Sequence, residues 1–87
     1  MPSAPENQVI ALLAKEWDLT GPPGIMDISD IVAALPLAPS ETLATLKVLF
    51  ANGLVDMNKF KTSAFLTPEG YAAVERERER GSSDGIS

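Results

Sequence analysis

Four stretches of the chain place apolar residues at helical spacing. In the first, Val9, Ile10, Leu13 and Trp17 recur along one helix face. Ser3-Ala4-Pro5-Glu6 just before them has the Ser-x-x-Glu form of a capping box, with Pro in the first turn, where its missing N–H costs nothing. This predicts a helix from about Ala4 to Trp17. Thr20-Gly21-Pro22-Pro23-Gly24 then breaks the pattern, and Ile25-Met26 is read as a very short strand. Asp27 is placed to cap the next helix, with Asp30 near its positive end. Ile28, Ile31, Val32 and Leu35 make that helix amphipathic, and Pro36 stops it.

Pro39 suits the first position of a third helix, and Glu41 its first turn. Leu43, Leu46, Leu49 and Phe50 are read as the core stripe of that helix, which Gly53 ends. Leu54–Met57 and Ala64–Leu66 are strand candidates that would pair as a hairpin around a polar tip. Thr67 is then a cap, with Pro68 and Glu69 behind it. Tyr71, Ala72 and Val74 open a fourth helix that runs through Glu75-Arg76-Glu77-Arg78-Glu79-Arg80 to Gly81. Opposite charges three residues apart in that run support a helix, while like charges four apart oppose it. Residues 1–80 are thus expected to form one domain, and 81–87, small and polar, a disordered tail.

Composition narrows the chemistry. The 87 residues suffice for one core. No apolar run is long enough to span a bilayer, and the N-terminus lacks signal-peptide character, so a cytoplasmic protein is expected. There is neither cysteine nor histidine. That removes disulfides, thiolate or imidazole metal sites, and His or Cys catalysis. No carboxylate pair stands out, so no enzyme activity and no cofactor are expected. The net charge is −5. It is spread as −2 over residues 1–24, −2 over 25–70 and −1 over 71–87, so a local basic face can survive.

From Met26 to Val74 the text resembles bacterial regulators of the MarR-like and ArsR-like families. The carrying residues are Gly53-Leu54-Val55 after the third helix, and Leu66-Thr67-Pro68-Glu69-Gly70 opening the fourth. The resemblance implies a winged helix-turn-helix: mainly α, with a three-helix core, a small β-hairpin wing and a C-terminal helix. It also implies a homodimer on duplex DNA, with the third helix in the major groove and the wing on the backbone or minor groove.

By position, Ser40, Glu41, Thr42, Ala44, Thr45 and Lys47 are expected to face outward. Ser40, Thr42, Thr45 and Lys47 would then work in the groove, while Lys59, Phe60 and Lys61 would anchor the wing. The chain departs from the DNA-reading pattern here. Bases are most often read by Arg, Lys, Asn or Gln, and none occupies the first two turns of the third helix. Pro36 and Ala38 also replace the usual turn Gly and capping Ser or Thr, so that turn must close in another way. The competing reading is a winged-helix module that docks a protein partner and does not bind DNA.

Overall fold

A computed structural model describes residues 4–86, with side chains described as far as residue 78. Helix α1 spans Ala4–Thr20, strand β1 Met26–Asp27, α2 Ile28–Ala34 and α3 Pro39–Ala51. Strands β2 (Val55–Met57) and β3 (Ser63–Leu66) form the hairpin, and α4 spans Pro68–Ile86. The architecture is that of a winged helix, an α+β fold of four helices and a small antiparallel sheet. The sheet order is β1-β3-β2, so β3 is the central strand. Its register pairs Val55 with Leu66 and Met57 with Ala64 on one side, and Met26 with Ala64 on the other.

The core gathers residues from the first three helices and the sheet. Val9, Ile10, Leu13 and Ala14 of α1 meet Ile31 of α2, Leu46 and Leu49 of α3, and Val55, Ala64 and Leu66 of the sheet. All are buried. Trp17, Leu35, Tyr71 and Val74 close the periphery of this cluster.

Several element ends differ from those expected. The first helix continues to Thr20, whose hydroxyl donates to the Glu16 carbonyl at 2.8 Å. The N–H of Gly21 then returns to the Trp17 carbonyl, so the stop comes at the glycine. Ser3 of the expected capping box lies outside the described residues. Asp27 does stand at the start of α2, but its carboxylate makes no capping bond. The N–H of Ile28 donates instead to the Thr62 carbonyl of the hairpin. Leu35 is extended, as a residue before proline prefers, and this ends α2. The turn into α3 closes without glycine. Ala38 caps through its carbonyl, which accepts from both the N–H and the hydroxyl of Thr42. Helix α4 runs past Gly81, where an end is expected, to Ile86. A lone glycine weakens a helix by about 1 kcal/mol without having to end it.

The joint between α3 and α4 explains the two sequence marks. Gly53, at φ +76°, takes the left-handed position after α3. Its N–H donates to the Phe50 carbonyl, and the N–H of Leu54 to that of Leu49, which is a Schellman closure. Thr67 then ties the two segments together. Its hydroxyl donates to the Gly53 carbonyl at 2.6 Å and accepts from the N–H of Gly70 at 3.0 Å. Its own N–H donates to the Leu54 carbonyl. Gly70 packs directly on that segment, and a Cβ there would collide with the Leu54 carbonyl oxygen. The two marks are therefore halves of a single contact.

Candidate nucleic-acid interface

The candidate surface is built from α3 and the hairpin. Helix α3 turns Thr42, Thr45, Leu46 and Leu49 inward. This corrects the expected orientation of two candidate contacts. Thr42 is 0% exposed and Thr45 8%, whereas Leu43, read as core, is 44% exposed. Phe50, also read as core, is 45% exposed. The reason is a stripe with helical offsets 42, 45, 46 and 49, in which threonine serves as a near-isostere of valine. Both hydroxyls are satisfied locally, Thr42 on the Ala38 carbonyl at 3.3 Å and Thr45 on the Glu41 carbonyl at 2.8 Å. Each has thus spent its one hydroxyl proton inside the helix.

The remaining candidates are exposed. Ser40, Glu41, Ala44 and Lys47 lie on the outer side of α3, and Lys59, Phe60 and Lys61 at the hairpin tip. The fold brings Lys47 and Lys61 to the rim of one shallow cavity between α3 and the wing. Lys59 is on the hairpin tip, its ammonium 5.8 Å from the centre of the Phe60 ring. Phe60 itself is 77% exposed.

Asn58 organises the tip. Its side-chain oxygen accepts from the N–H of Thr62 at 2.7 Å and of Ser63 at 3.0 Å, and its amide donates to the Thr62 hydroxyl. Its carbonyl accepts from the N–H of Lys61, which sits at φ +57°. An asparagine bonding the backbone a few residues on is a common turn device. Asn58 is the residue type that signals such a turn in the sequence.

A second polar cluster joins α1 to α4. Trp17 of α1 stacks on Tyr71 of α4, with ring centres 4.4 Å apart and planes 13° from parallel. The Tyr71 hydroxyl donates to Asp18 at 2.6 Å, and the Arg78 guanidinium donates to Asp18 at 2.8 Å and to the Tyr71 oxygen at 3.2 Å. The hydrogen bond from Tyr71, then that from Arg78, holds the Asp18 carboxyl below its ordinary value. The bond to Asp18 raises the phenol of Tyr71. Arg78 thus reaches out of its own helix to α1. Asp18 lies 53 and 60 residues from its partners, beyond any local pattern.

No protein-family profile matches the chain, and no curated protein matches it in sequence. Among solved structures, NadR in complex with 4-hydroxyphenylacetate superposes with a TM-score of 0.76 at 24% identity, over 97% of this chain. The chain spans 60% of the length of the NadR chain. At that identity the likeness establishes the winged-helix fold. No described helix is long and apolar enough to cross a membrane.

Proposed function

We propose that this winged helix is the DNA-binding part of a transcriptional regulator, working in the cytoplasm as a homodimer on duplex DNA. The observation that carries the proposal is the placement of Lys47, Lys59 and Lys61. These are three of only seven basic residues in a chain of net charge −5; Lys47 and Lys61 line one cavity between α3 and the wing, and Lys59 is exposed two residues away on the wing tip. The fold shared with NadR supports the same reading. In it, α3 lies in the major groove with Ser40 and Lys47 toward the duplex. The wing sets Lys59 and Lys61 on phosphates, with Phe60 against the sugar edge. Thr42 and Thr45 act only through the helix they support. The outward side chains between Ser40 and Lys47 are Glu41, Leu43 and Ala44, with no Arg, Lys, Asn or Gln among them, so this surface grips backbone more than it reads bases.

Salt tests it. A dimer using three lysines per subunit should lose affinity with a log–log slope of about −5 as salt rises. Replacing Lys59 and Lys61 with alanine should weaken binding to all sequences and flatten that slope by about 4. Absence of binding to mixed duplex at low salt would overturn the proposal.

A further inference from the structure

The same face holds a feature that duplex DNA does not require. Between α3 and the wing lies an apolar socket of about 190 Å³. Leu46 is its floor, and Ile28, Leu43, Phe50 and Met57 are its walls. Lys47 and Lys61 stand at its mouth, and no carboxylate is among the described residues that line it. Both lysines are exposed, and neither forms an ion pair among the described residues.

Size, polarity and charge each select the occupant. Sites for drug-sized ligands run from about 300 Å³ upward, so this one suits a single large side chain. The apolar group that DNA offers in the major groove is the thymine methyl, which is too small to fill it. Two ammonium groups without counter-charges, in an otherwise acidic protein, complement carboxylates placed on either side of an apolar anchor. The socket is also preformed. Asn58 braces the wing tip, and the bond from the Ile28 N–H to the Thr62 carbonyl ties the wing to α2. Little ordering therefore opposes insertion.

We propose that this socket docks an acidic protein segment, which inserts one Leu or Phe between α3 and the wing and sets its flanking carboxylates against Lys47 and Lys61. Such a segment would use two of the lysines that the DNA reading turns toward the duplex, so its binding and that of a duplex would exclude each other. The docking itself does not depend on DNA binding.

The test is a titration of methyl-labelled protein, followed by NMR, with a short synthetic peptide whose central Phe is flanked on both sides by Glu and Asp. Saturable shifts of the Ile28, Leu43 and Met57 methyls are expected. Replacing the central Phe with Ala should weaken binding by about tenfold or more. Replacing the flanking acids with Lys should abolish it. In the protein, Leu43→Glu at the exposed wall should keep the fold, checked by circular dichroism, and lose the peptide. The pair Lys47→Ala and Lys61→Ala should weaken the peptide and reduce its salt sensitivity. No saturable shift at millimolar peptide would overturn the proposal, as would equal binding of the Phe and Ala peptides. A duplex that moves these methyls when the peptide does not would assign the socket to the DNA face alone.

Discussion

Two regions of this molecule are built on opposite principles. At the joint of α3 and α4, Thr67 satisfies both strands of the contact, and Gly70 leaves no space between them. On the face of α3 and the wing, side chains point to solvent, and Leu43, Phe50 and Phe60 are left open. The joint carries the text by which the fold is recognised. The open face carries whatever is specific to this chain. A family signature can therefore mark where a scaffold is locked and say little about what the scaffold holds.

The largest effect should come from breaking the joint. Gly70→Ala places a methyl on the Leu54 carbonyl and forces the two segments apart. It should cost roughly 3 kcal/mol, read as a lower urea midpoint at unchanged slope. Next is Thr67→Ala, which removes the cap on α4 and leaves the Gly53 carbonyl without its hydroxyl donor. A loss of about 1–2 kcal/mol is expected in the same measurement. Neither change touches the open face, so DNA affinity of the folded fraction should be unaltered.

Thr42→Val sharpens the contrast from within α3. If the hydroxyl serves only the core, stability should move by no more than about 1 kcal/mol, because the Ala38 carbonyl keeps its bond from the Thr42 N–H. DNA affinity should stay as it was. A clear loss of binding with stability intact would return Thr42 to the interface.

The smallest effect should come from the exposed cluster at Asp18. Folding lowers this carboxyl from its ordinary value of 3.8. A lowered carboxylate stabilises the fold above its unfolded-state value, and that contribution fades as pH falls through the lowered one. Wild type and Asp18→Asn should therefore differ slightly in urea stability at neutral pH and converge in strong acid. Because the pair is exposed, added salt should narrow the difference at neutral pH.

The sequence was most legible where the backbone makes demands that few residues meet. Gly53 is needed for a left-handed position, Pro36 stops α2, and Thr67 caps α4, so the order of elements could be read in advance. It was misleading where polarity stood in for shape. Thr42 and Thr45 look like surface residues, yet they complete the buried stripe, and their inward turn rotates Leu43 and Phe50 outward. The socket is hidden in the sequence for the same reason, since two of its walls, Leu43 and Phe50, have the spacing of core residues. The cluster of Asp18, Tyr71 and Arg78 left no trace at all, because only the packing of α1 on α4 brings it together.

The central position of β3 bears on how any signal could travel. A wing that is an edge ribbon can swing as a lever. Here β1 pairs with one side of β3 and β2 with the other, while Ile28 fastens α2 to the tip. Tilting the wing would break its pairing with β1 and the Ile28–Thr62 bond at once. The tip and α3 should thus move as one rigid head, with amides of β3 among the slowest in the protein to exchange with solvent. Control of such a head would come from the spacing between two of them, or from plugging one, rather than from bending either.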